Sequence, residues 1–158
     1  MSSEPQDELY AAPFTELDAA TLYKILTLRS EVFVIEQNCV YLDLDGLDPD
    51  PETRHLWIER AGQVVAYIRI LDMERTPRIG RVVTAPAARG GGLAGQLISE
   101  ALRLIGDKPS ILHAQAHLGN YYAKFGYEQN GPEYVEDGIP HIPMIKPEPS
   151  KAGSPLSR

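Results

Sequence analysis

The stretch Ala88-Arg89-Gly90-Gly91-Gly92-Leu93-Ala94-Gly95 sets one guanidinium beside three consecutive glycines. Glycine raises the entropy cost of ordering a loop, so three in a row need a reason beyond turning the chain. A main chain without Cβ atoms lets a ligand approach closely. The apolar positions Leu93, Leu97, Ile98, Ala101, Leu102 and Ile105 follow at helical spacing. Amides at the start of that helix point outward, at the positive end of its dipole. With the planar donor fork of Arg89 they make a site for a diphosphate.

Other chemistries fit less well. Gly90-x-Gly92-x-x-Gly95 matches the dinucleotide fingerprint in letters only. In that fold the glycines follow the first strand at once, and an acidic residue ends the next strand. Here Ala85-Pro86-Ala87-Ala88-Arg89 intervenes, and the next strand ends in Gln115-Ala116-His117. No Gly-Lys-Ser/Thr is present, which excludes a phosphate-loop nucleotidase. Asp43-x-Asp45-x-x-Asp48 lacks the closing Glu and flanking helices of a calcium loop, so the acidic stretch 39–55 reads as a solvated loop. His113 and His117 fall on a strand and its exit, not on one helical face, and no metal site is expected. The single cysteine, Cys39, reads as a small packed residue and suits a reducing compartment.

The elements that would position the glycine turn are legible in the apolar pattern. A first strand is expected over 9–15 and a helix over 18–36, entered through Thr15 to Asp18. Strands over 55–60 and 63–71 flank Ala61-Gly62, a tight hairpin turn. A third strand over 77–84 should lie antiparallel to the second, with Pro86 ending it. The helix over 92–105 then leads to a strand over 111–116, which the crossover makes a parallel neighbour of 77–84. A short helix over 118–125, an extended segment from Tyr127, a polar turn over 133–138 and a closing strand over 139–146 complete the chain. The fold class is α/β (α+β): a mixed, mostly antiparallel central sheet flanked by helices.

The 158 residues suit one domain, and an apolar content of 43% provides a core. Residues 1–8 and 147–158, rich in Pro, Ser and charge, read as flexible ends around a domain over 9–146. A net charge of −7 argues against nucleic acid as a partner. No apolar run spans a membrane and the first residues do not resemble a signal peptide, so a cytoplasmic location is expected.

Arg89-x-x-Gly92-x-Ala94 after a Val-Val-Thr strand resembles the acyl-CoA signature of the GNAT N-acetyltransferases. Tyr121-Tyr122-Ala123-Lys124-Phe125-Gly126-Tyr127 is similar to that family's Tyr-x-x-x-Gly-Phe segment. Arg29-x-x-Val32-Phe33-x-x-Glu36-Gln37, His55, Gln115 and Glu136-Asp137-Gly138-Ile139-Pro140-His141 resemble its ElaA-like branch. The resemblance covers residues 9–146. It implies acetyl-CoA as cosubstrate and a splayed parallel strand pair at the acyl-CoA site. Arg89 and the amides of Gly90, Gly91, Gly92 and Leu93 would grip the diphosphate, with Ala94 and Gly95 permitting close approach. The main chain of Val82, Val83 and Thr84 would pair with the pantetheine arm like an added strand. Gln115 stands where most members carry an Asn and keeps an amide there with longer reach. Tyr122 aligns with the general acid that protonates the leaving thiolate, with Tyr121 as its packed neighbour. Glu36, His55 and His141 are the candidate bases for the incoming amine. Glu31, Glu36, Asp43, Asp45, Glu133 and Asp137 would make the acceptor pocket acidic, suited to a cationic small molecule or peptide amine. Such members commonly pair as homodimers. Two rival functions stand beside the enzyme: a non-catalytic acyl-CoA-binding regulatory domain of the same fold, and a phosphometabolite-binding protein unrelated to CoA.

Overall fold

The computed structural model describes residues 6–149. The expected ends at 1–5 and 150–158 lie outside these residues. Eight strands form one sheet: β1 (Glu8–Pro13), β2 (Arg54–Arg60), β3 (Gln63–Leu71), β4 (Arg78–Thr84), β5 (Ser110–Gln115), β6 (Glu128–Gln129), β7 (Tyr134–Glu136) and β8 (Ile139–Lys146). Their order is β1-β2-β3-β4-β5-β8-β6, with β7 also on β8. Every pairing is antiparallel except β4 with β5. The helices are α1 (Ala19–Arg29), α2 (Leu93–Ile105) and α3 (Gly119–Ala123).

Alternation along the strands builds two faces. One presents Leu56, Ile58, Ile68, Ile70, Ile79, Leu112, Ala114, Ile142 and Met144 to the α2 stripe of Leu93, Leu97, Ile98, Ala101 and Ile105. The other presents Trp57, Val64, Tyr67 and Val83 to Ile25, Leu28 and Val32. On that second face α1 covers only the β1–β4 half. The β5–β8 half is left without a helix, and the cleft described below lies there.

Two hairpin turns share one geometry. Ala61 and Gly62 have φ of 51° and 78°, and Asp137 and Gly138 have 52° and 78°. Positive φ at both central positions matches the right-handed twist of the flanking strands. The segment 133–138, read as a polar turn, is half strand: Tyr134 to Glu136 pair with His141 to Ile139. Its polar side chains reflect exposure, not absence of a ladder.

The helix expected over 18–36 divides. Asp18 caps α1 by accepting from the Thr21 amide at 2.7 Å. From Ser30 to Glu36 the chain widens into a π-helical turn, closed by Gln37 N–H to Val32 O and Cys39 N–H to Val34 O, both 3.0 Å. One extra residue per turn rotates Glu36 away from where an α-helix would place it.

The stretch 39–55 is not a solvated loop. Asp43 and Asp48 are 6% and 5% exposed. Arg29, fully buried, donates to Asp43 Oδ2 at 2.8 Å and to Asp48 Oδ1 at 2.8 Å. Arg69 donates to Asp45 and Asp48, and Arg81 to Asp45. Three arginines thus neutralise three aspartates, and the network pins the stretch to β3 and β4.

Candidate active site

β4 and β5 hydrogen-bond only at their beginnings, through Arg78 with Ile111 and Ile79 with Leu112. Beyond that point they diverge. The divergence has a local cause in β4. Arg81 takes φ 52°, and the register to β3 shifts there, so that Arg81 and Val82 both stand opposite Ile68. This bulge bends β4 away from β5 and leaves the main chain from Gly80 to Thr84 facing a gap.

The glycine turn stands at the open end of that gap. Gly90 and Gly92 have φ of 90° and 78°, a region costly for any residue with a Cβ. A 3-10 turn over Pro86–Ala88 leads in, and Gly92 caps α2 in the left-handed conformation. Among the described residues, no acceptor is found for the main-chain amides from Gly90 to Gly95. Arg89 is exposed, donates from Nε to Thr84 O at 3.1 Å, and grips Glu36 with both Nη atoms at 2.7 Å. A Cβ added at Gly95 would lie 3.6 Å from the Tyr121 hydroxyl and 3.7 Å from the Phe125 ring. A Cβ there would make ordinary van der Waals contact with α3, so the packing of α2 on α3 does not by itself require glycine at this position.

On the uncovered sheet face a cleft of about 490 Å³ runs along β4 and β5. Val82, Gln115, Tyr122 and His141 line it, as do Arg69, Arg78, Arg81, Asp45, His113, Glu136 and Asp137. Tyr122 is 6% exposed while Tyr121 is only half-buried, which reverses the expected order of packing. Burial pushes the Tyr122 phenol well above its ordinary range, so it holds its proton at neutral pH. His141 Nδ1 lies 2.7 Å from its own strand's Ile139 O, which assigns the proton to Nδ1 and leaves a lone pair on Nε2. The hairpin tip crosses toward the loop after the π turn, where Cys39 Sγ lies 3.8 Å from Asp137 O.

Two of the candidate bases sit elsewhere. His55 is 1% exposed and locked between the Tyr67 hydroxyl at 2.6 Å and Asp48 O at 3.0 Å. Burial lowers its pKa. It supports the Arg–Asp network and does not line the cleft. Glu36 gives both carboxylate oxygens to Arg89, which holds its pKa below the usual range. The pocket is also not simply acidic. Of the acidic residues expected there, Asp43 is buried under Arg29 and Asp45 is bonded to Arg69 and Arg81; Asp137 is the other one that lines the cleft. Arg69, Arg78 and Arg81 had no signal in the sequence, because their roles depend on partners across the sheet.

Residues 24–147 match the family described as the acetyltransferase (GNAT) domain. The chain belongs to the GNAT acetyltransferase family. Protein ElaA of Escherichia coli K12 is 44% identical over 140 residues, spanning 84% of this chain and 91% of that one. A UPF0039 protein of Mycobacterium tuberculosis H37Rv is 45% identical over 137 residues, 84% and 88% of the two chains. Among solved structures, an acyl-CoA N-acyltransferase from Pseudomonas aeruginosa superposes with a TM-score of 0.84 at 44% identity, covering 89% of this chain and 99% of the other. Escherichia coli ElaA superposes with a TM-score of 0.83 at 41% identity and the same coverage. The mixed sheet with one splayed parallel pair is thus the GNAT fold, and acyl-CoA is the cosubstrate on which GNAT acetyltransferases act. Among the described residues no helix is long and apolar enough to cross a membrane.

Proposed function

We propose that this GNAT protein moves an acetyl group from acetyl-CoA to an amine by direct attack, as a cytoplasmic enzyme folded over residues 9–146. The observation that carries the reading is the run of unpartnered amides from Gly90 to Gly95 beside the β4–β5 gap. Arg89 and the amides from Gly90 to Leu93 hold the diphosphate, with Ala94 continuing the same donor surface. The main chain of Val82, Val83 and Thr84 pairs with the pantetheine arm, and the Gln115 amide steadies it. An amide donor on this edge polarises the thioester carbonyl as charge develops on oxygen.

The chemistry then needs two proton transfers. The amine nitrogen attacks the carbonyl carbon, the C–N bond forms and the C–S bond breaks. His141 Nε2 accepts the proton that the amine loses. Tyr122, a phenol protonated at neutral pH, donates to the departing sulfur.

The test is calorimetric titration with acetyl-CoA, followed by turnover on an amine panel. Arg89→Ala should weaken acetyl-CoA binding about tenfold or more, as loss of a charge-assisted contact to phosphate does. Tyr122→Phe should lower kcat by about 10²-fold with acetyl-CoA affinity kept. Tight ATP binding with no CoA binding would overturn the assignment. CoA binding with no turnover on any amine would favour the regulatory acyl-CoA-binding reading.

A further inference from the structure

The cleft is electrically polar along its length. Nine arginines fall among the described residues, and eight have an acceptor. Arg29, Arg69 and Arg81 bond Asp43, Asp45 and Asp48; Arg89 bonds Glu36; Arg60, Arg75 and Arg103 bond Asp7, Asp72 and Glu100; Arg54 bonds carbonyl oxygens. Arg78 has none. Exposed, it sits on the cleft at the beginning of β4, level with Ile111 of β5, on the opposite side of His113 from Glu136, and the charges of both are felt at that histidine. The neighbouring guanidiniums of Arg69 and Arg81 line the same cleft. Arg69, 3% exposed, holds a buried Nε without a hydrogen-bond acceptor. Arg81 Nε lies 2.8 Å from Asp43 Oδ1, an ion pair without the alignment of a hydrogen bond. Arg69 and Arg81 are already neutralised by Asp43, Asp45 and Asp48, so among the described residues Arg78 is the cation at this end that has no carboxylate partner.

The other end carries the opposite sign. β8 runs antiparallel to β5, with Gln115 level with His141, so Glu136 and Asp137 lie beyond Gln115 at the Tyr122 end. Both are exposed carboxylates with no cationic side chain bonded to them among the described residues. Four residues of β5 separate the Ile111 and Gln115 levels, roughly 13 Å of strand. The reach of the Arg78 side chain into the cleft shortens that span.

We infer that the acceptor is a dipolar molecule, an amine carrying a carboxylate several bonds away, with Arg78 binding the carboxylate while Glu136 and Asp137 draw the ammonium toward His141. This rests on the acetyltransferase reading and adds the class of acceptor to it. A plain cationic amine would meet the acidic end but leave the arginine end without a partner.

The test uses 6-aminohexanoate and hexylamine, which share a chain length and differ in the carboxylate. Acetyl-CoA affinity, measured first, reports on the acetyltransferase reading by itself. With CoA bound, 6-aminohexanoate should shift amide resonances of the β4 and β5 strands, and its kcat/KM should exceed that of hexylamine by about tenfold or more. Arg78→Ala should collapse that ratio toward one, mostly by raising the KM for the carboxylate-bearing acceptor, with acetyl-CoA affinity as the control for a folded site. Equal kcat/KM for the two acceptors, or a ratio unaltered by Arg78→Ala, overturns the inference even if acetyl transfer is real. If neither is acetylated, failure of 6-aminohexanoate to bind the CoA complex also overturns it, whereas binding lost in Arg78→Ala supports it.

Discussion

At the scale of single residues, the pair of Arg89 with Glu36 sets the terms on which a cosubstrate binds. The guanidinium proposed to meet the diphosphate is already committed at two 2.7 Å contacts. An arriving diphosphate must share it or displace the carboxylate. Glu36→Gln removes the competing charge, so acetyl-CoA affinity should rise by about two- to fivefold in calorimetry, the scale of an exposed ion pair. Turnover should persist; its loss would return Glu36 to the role of base. The placement of Arg89 beside the glycine turn and of Tyr122 on the cleft was legible because each belongs to a compact local pattern. The partner of Arg89 was not, since 53 residues separate the two. His55 misled for the same reason. A histidine at a strand start reads as chemistry until Tyr67 and Asp48 are seen enclosing it.

At the scale of elements, apolar period and turn chemistry decided what could be read. The strands 63–71 and 139–146 agree with the structure residue for residue, because a hairpin glycine, Gly62 or Gly138, marks the start of each apolar run. The π turn was invisible, since a single inserted residue leaves the apolar spacing almost unaltered. The β4 bulge was equally hidden, because Arg81 adopts a glycine-like φ that its side chain does not advertise. The β2–β3 turn offers a clean check. Ala61 holds φ 51° in a turn that favours Asn-Gly. Ala61→Asn should stabilise the domain by about 1 kcal/mol and raise the thermal midpoint by roughly 2–5 °C in a melting scan.

At the scale of the whole molecule, stability leans on a buried ionic network that joins α1, the acidic stretch, β3 and β4. Removing charges from water is costly, and these are held because each carboxylate meets more than one donor. Their pH signature has a definite sign. Asp48 is depressed by its arginines despite burial, and Asp45 falls to about 2, so their contribution is whole above about 3.8 and is lost as pH drops toward 2. His55 acts earlier. Its folded pKa lies below the ordinary 6.5, so the unfolded chain takes up a proton first and stability declines as pH falls below about 6.5. The melting temperature should therefore drop between pH 7 and pH 5, and His55→Gln should flatten that slope. This network was closed to a one-dimensional reading, which saw only a run of aspartates.

The β7–β8 tip meets the loop after the π turn at one weak contact, the Cys39 thiol against the Asp137 carbonyl oxygen. Cys39 and Asp137 both also line the cleft, so whatever acceptor enters there meets this contact as part of its wall.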